Sequence, residues 1–180
     1  KKKNTFSNEL LEEILQGYFI NPEGLKVIHS FNKNGIAYIP QLGYFKKGEN
    51  TPFEPILKID EFEILKETHP TQNQYFIEYY KGHIVNTNPT YNSVWQENYK
   101  ELEKAFLIIK EHLPDFYKEL VFTNRKIYLH NNPKILNFTT IETLGMLYFY
   151  VLGDDNLIYF IEELIHQGSH NFLYYVVHNR

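Results

Sequence analysis

Two patterns of apolar and polar positions divide the chain near Tyr91. Across residues 21–92 the apolar runs are short and are broken by Pro22, Gly24, Gly35, Pro40, Gly43, Gly48, Pro52, Pro55, Pro70, Gly82 and Pro89, punctuation that leaves room for few long helices. Ile36-Ala37-Tyr38-Ile39, Ile56-Leu57-Lys58-Ile59 and Gln74-Tyr75-Phe76-Ile77-Glu78-Tyr79-Tyr80 read as strands or as irregular aromatic-rich packing. Ahead of them, Ser7 followed by Leu10, Leu11, Ile14 and Leu15, with Gly17 closing the run, predicts a short amphipathic helix.

After Tyr91 the period becomes helical. Ser93-Val94-Trp95-Gln96 has the form of a capping box and opens a pattern through Tyr99, Leu102, Ala105, Phe106, Ile109 and Leu113. Pro114 ends that helix or starts another at its first position, because helix formers continue to Leu120. The alternation Arg125-Lys126-Ile127-Tyr128-Leu129-His130 predicts a strand, Asn131-Asn132-Pro133 a turn, and the run from Leu144 to Val151 a second strand. Beyond the turn signal Gly153-Asp154-Asp155-Asn156, residues 157–177 contain no Pro and suffice for a helix of about six turns. The run Tyr174-Tyr175-Val176-Val177 meets no Gly or Pro stop, so the given sequence is expected to break off within or just after a helix. The expected class is α+β, with an aromatic-rich N-terminal region at 1–90, whose Tyr79-Tyr80 tract either lines a peptide groove or, more commonly for such residues, packs in the core, and a helix-and-sheet domain at 91–180.

Composition narrows the function. Aromatic residues make up 17% of the 180 positions, enough for a substantial core. Zero cysteines exclude disulfides, thiolate zinc sites and iron–sulfur clusters. A net charge of −4, with Arg125 and Arg180 as the only arginines, leaves no basic stripe for nucleic acid. Glu9, Glu12 and Glu13 interrupt any signal-like apolar segment after Lys1-Lys2-Lys3, and no uncharged run approaches a membrane span. These features predict a soluble, cytoplasmic protein with neither a nucleic-acid nor a membrane partner. No phosphate-binding Gly-rich loop or nucleophile elbow is present.

The candidate chemistry lies on the final helix, in Glu162-Glu163-Leu164-Ile165-His166-Gln167-Gly168-Ser169-His170. Residues four apart share a helix face, so His166 and His170 can aim two imidazoles at one metal ion. The same spacing also arises by chance in a chain with eight histidines. Taking His166 as 0° at about 100° per residue, Ile161, Ile165, Phe172 and Val176 cluster at about 220–280°, predicting an apolar face distinct from the imidazoles. Gly168 in a helix interior costs about 1 kcal/mol against Ala, which predicts a close approach there. Glu162 and Glu163 precede His166 by one turn, as outer carboxylates that orient an imidazole do, or as two solvated charges. Where the zinc-peptidase motif HExxH carries its proton-accepting Glu, this chain has Gln167, and an amide accepts no proton from metal-bound water. Iron oxygenase chemistry needs no such base, because open coordination positions on a His-held metal carry it.

The order of elements from Trp95, with Phe138-Thr139-Thr140 shortly before Leu144-Gly145 and then the HQxxH segment, resembles the HExxH-motif peptide-modification proteins, which include 2-oxoglutarate-dependent peptide β-hydroxylases of ribosomal-peptide pathways. The resemblance covers residues 93–178. It implies a zincin-like packing of a metal-binding helix on a small sheet, iron(II) and 2-oxoglutarate as cofactors, and a peptide substrate. His166 and His170 become the iron ligands, with Glu162, Glu163 and Gln167 around them, and Thr139 or Thr140 falls where that family carries a Ser or Thr. Gln167 departs from the motif Glu, and the third ligand is left open. Arg125, Arg180 and Thr140 are the candidates for holding the co-substrate carboxylate. His130, at a strand end, either reaches the site or is an exposed turn residue; His178 lies about 12 Å of helical rise beyond His170 and does not share its metal. Two other functions compete: a zinc metallopeptidase-like hydrolase, and a non-catalytic peptide or partner-binding module with a degenerate site.

Overall fold

The computed structural model describes residues 35–46, 49, 51–66, 94–131, 136–152 and 156–178. The expected helix near residues 7–17, the strand at 74–80, the Ser93 cap and the turn at 153–155 lie outside the described residues. The chain divides into two compact units, one of residues 1–57 and 69–71 and the other of 58–68 and 72–180.

In the first unit β1 (Ile36–Ile39), β2 (Gly43–Lys46) and β3 (Glu54–Pro55) form an antiparallel meander. Gln41 turns the first hairpin with a positive φ of 67°. Gly43 permits the second pairing: a Cβ there would meet the Glu54 carbonyl oxygen at 2.2 Å. Of this sheet only β1 is expected from the sequence, because β2 is as short but opens on Gly43, a turn signal, and β3 is only two residues long.

In the second unit the sheet order is β4 (Leu57–Ile59), β5 (Phe62–Leu65), β6 (Lys126–His130), β7 (Met146–Tyr150), with β4 beginning on the last residue of the first unit. Strands β5, β6 and β7 run parallel. Phe138 exchanges both backbone hydrogen bonds with Tyr148, adding an antiparallel bridge on the far side of β7. The chain therefore leaves β6, passes the outer edge in reverse, and re-enters as β7 between that edge and β6. Burial on both faces explains the unbroken apolar run of Met146-Leu147-Tyr148-Phe149.

Three helices follow the expected pattern. In α1 (Val94–His112) Leu102, Ala105, Phe106 and Ile109 form the buried stripe, and Phe106 lies on Phe62 of β5 at 4.5 Å between ring centres. Pro114 occupies the start of α2 (Pro114–Thr123), where the missing N–H costs no helical bond. The final helix, α3 (Leu157–His178), packs beside α1 and α2. The expected order helix, helix, strand, strand, helix is thus the observed one, and the mixed α+β class holds. Among the described residues no helix is long and apolar enough to cross a membrane.

Two anchors set the course of α3 along β7. The Tyr159 hydroxyl donates to the carbonyl of Tyr150 at the end of β7, while twelve residues later Asn171 Nδ2 donates to the carbonyl of Met146 at its start, at 3.0 Å. The helix therefore runs back against the strand direction, and His166 and His170 fall between the two ties.

Candidate metal-binding site

The buried stripe of α3 consists of Phe160, Leu164, Gln167, Gly168 and Asn171. This corrects the expected apolar face of Ile161, Ile165, Phe172 and Val176, all of which are only half-buried. The stripe is turned by about 100° from that expectation, counting 100° per residue. Its cause is Gly168, which presses on Leu120 of α2: a Cβ built there would lie 2.3 Å from Leu120 Cδ1 and 3.6 Å from Phe116 Cζ. The close approach expected of this glycine is present, and helix packing accounts for it. A polar network finishes the rotation. Asn171 Nδ2 also donates to Asn124 Oδ1, the Thr139 hydroxyl stands against Asn171 Oδ1 and the Met146 carbonyl, and Asn124 Nδ2 donates to the Leu120 carbonyl at 3.1 Å. Each buried amide finds a partner at the junction of α2, α3 and β7, so α3 has one rotational setting.

That setting turns His166 and His170 outward. Both are exposed, and their ring centres are 4.9 Å apart with planes inclined at 46°. The pair passes a simple test of fit. With metal–nitrogen bonds of about 2.1 Å and ring centres about 1.1 Å behind the nitrogens, two imidazoles on one cation at about 90–110° have centres about 4.5–5.2 Å apart. One turn further on, Tyr174 is half-buried, with its ring centre 6.3 Å from that of His170 and its plane within 22° of parallel.

The other sequence candidates are distributed around this pair. Gln167 is buried and its Nε2 donates to Glu163 Oε2 at 3.2 Å. Glu162 is exposed and Glu163 half-buried. Arg125 is exposed, 3.6 Å from a carboxylate oxygen of Glu61, and its backbone N–H donates to the Gly145 carbonyl just before β7. Thr140 is half-buried, and its hydroxyl oxygen has no hydrogen-bond partner. Arg180 lies outside the described residues. Among the described residues no group of three or more His, Asp or Glu side chains gathers as a metal site would.

His130 contradicts both readings offered for it. It is 6% exposed, so it is no surface turn residue. It also lies beside the rings of Tyr128 and Tyr150, at 6.3 and 5.9 Å. By strand alternation this is the sheet face opposite Phe62, on which α1 packs, so the sheet separates His130 from the α3 pair. Burial pushes its imidazole down to about 4, offset only in part by the Leu136 backbone. Neither ring nitrogen makes a well-formed hydrogen bond.

Sequence reasoning overlooked Asn124, Asn171 and the placing of the Tyr174 ring beside His170. The available signal was an Asn inside the long final helix pattern, one turn after Gln167, together with an aromatic residue four places after the second His.

Comparison of the chain with protein-family models, with curated proteins and with solved structures finds no match.

Proposed function

We propose that this protein holds a divalent iron between His166 and His170 and uses it with 2-oxoglutarate to hydroxylate a side chain of a peptide, a tailoring step on a ribosomally made precursor. The observation that carries the reading is the imidazole pair on α3, whose 4.9 Å separation suits one cation. The path of the chain supports a zincin-like arrangement: a reversed edge segment at Phe138, the strand β7 inside it, then the helix bearing the pair.

Bound iron would supply the oxidation chemistry with dioxygen and the co-substrate, leaving the protein to bind, orient and exclude. His166 and His170 would hold the cation, and the other donors it needs would come from elsewhere. The Asn171–Thr139–Asn124 network holds α3 at the rotation that turns the pair outward from the sheet. Arg125 and Thr140 are the candidates for the co-substrate carboxylate: both belong to the end of the sheet where β7 begins, toward which α3 runs. The hydrolase alternative, a zinc metallopeptidase-like reaction, gains nothing from Gln167, which is an amide bonded to Glu163 within the helix.

The decisive experiment is metal analysis of anaerobically purified protein, with succinate formation from 2-oxoglutarate followed in the presence of a candidate precursor peptide. About one iron per chain is expected, lost in the His166→Ala, His170→Ala double variant; unchanged metal content in that variant refutes the proposal. One observation favours a second reading, a non-catalytic peptide or partner-binding module. Both imidazoles are exposed, and no third His or carboxylate joins them among the described residues. Metal-free protein whose melting temperature does not rise on adding iron or zinc would decide for that module.

A further inference from the structure

We infer that Tyr174 is a positioning residue for the His170 imidazole, an inference that rests on the metal-binding role proposed above. Side chains on a helix lean toward its N-terminus, so a residue one turn later lies over the turn before it. The ring of Tyr174 accordingly lies toward the C-terminal side of His170, its centre 6.3 Å away and its plane within 22° of parallel, while His166 stands on the other side at 4.9 Å. The three rings rise as a staircase along α3, and only its last step, Tyr174, is partly buried and so held by the fold. An exposed imidazole on its own divides its time among several rotamers, of which few present a nitrogen to the space beside His166. With Tyr174 occupying the C-terminal side, the rotamers that remain are those facing His166. The contribution is the flat ring; the phenol oxygen is not required for it.

The test uses the full chain and cobalt(II) alone as the probe, with affinity read from the visible absorption that develops on coordination. Tyr174→Ala is expected to weaken cobalt binding by about threefold to tenfold, the range of one aromatic contact, and Tyr174→Phe to restore it. In the metal-free protein the His170 ring-proton resonances should lose their ring-current shift in Tyr174→Ala and keep it in Tyr174→Phe. Equal affinity in wild type and Tyr174→Ala overturns the inference while leaving the metal site standing. Binding as weak in Tyr174→Phe as in Tyr174→Ala overturns it too, since the oxygen would then be the operative group. A wild-type protein that takes up no cobalt at all removes the metal-binding role itself, and the positioning role with it.

Discussion

Replacing Gly168 by Ala sets two opposed effects against each other, and the structure decides between them. In a helix interior Ala is favoured over Gly by about 1 kcal/mol. Against that gain, the new methyl would sit 2.3 Å from Leu120 Cδ1, so the leucine must retreat by more than an ångström to reach ordinary contact at about 3.6 Å. The end of a leucine is flexible, but Leu120 is 1% exposed and has no solvent to move into. Overpacking of this kind costs about 1–3 kcal/mol. The net expectation for Gly168→Ala is a loss of about 0–2 kcal/mol, or a melting temperature lower by a few degrees for a chain of this length. Urea denaturation of four proteins checks the cause: wild type, Gly168→Ala, Leu120→Ala and the double variant. Shortening Leu120 costs about 2–5 kcal/mol by itself, but it clears the space in front of residue 168. In that background Gly168→Ala should therefore become stabilising by about 1 kcal/mol, a change of sign measured as a coupling energy. A Gly168→Ala protein more stable than wild type, or two substitutions that simply add, would refute the claim that close packing on α2 requires this glycine.

Asn171→Ala should cost about 1–3 kcal/mol in the same urea assay, because it strands Asn124 Oδ1 in a buried place, while the Thr139 hydroxyl and the Met146 carbonyl each lose one partner but keep their bond to each other. His130, neutral in the folded protein with its imidazole pushed down to about 4, gives a definite sign of pH dependence. The unfolded chain takes up a proton below about 6.5 and the folded chain does not. Stability therefore falls between about pH 6.5 and 4, by up to about 3 kcal/mol, and flattens below that. His130→Leu should remove most of that slope; an unchanged slope would show that other groups carry it. The Lys110 ammonium and the Tyr117 hydroxyl, both bonded to Asp60 at the β4–β5 turn, hold its carboxyl below the usual range. The Asp60 contribution is complete above about pH 4, the ordinary carboxylate value, and is lost as pH falls through the lower folded value. Asp60→Asn should thus lower the urea midpoint at pH 6 and converge on wild type under acid; a constant difference at all pH values would contradict this assignment.

The order of the later elements was readable from the chain alone because each has a local cause. The i, i+3, i+4, i+7 spacing of Leu102, Ala105, Phe106 and Ile109 specifies α1, Pro114 separates α2 from it, and the long proline-free stretch after Asn156 produces α3. The HxxxH spacing likewise brings His166 and His170 together through helix geometry and needs nothing from the rest of the molecule. What the chain alone did not determine is which way α3 faces. Half-buried Ile161, Ile165, Phe172 and Val176 form as good an apolar stripe by composition as the one that is used. The choice was made by the fit of Gly168 on Leu120 and by the bonding of Asn171 to Asn124, Thr139 and Met146, partners 25 to 47 residues away. His130 shows the same division of labour. Its place at the end of an alternating run is local, whereas its burial among tyrosines, on the far side of the sheet from the α3 pair, follows from the parallel register of β6 with β7. A helix rotation and a strand register each depend on groups distant in sequence meeting in space, and that meeting has no local pattern to announce it.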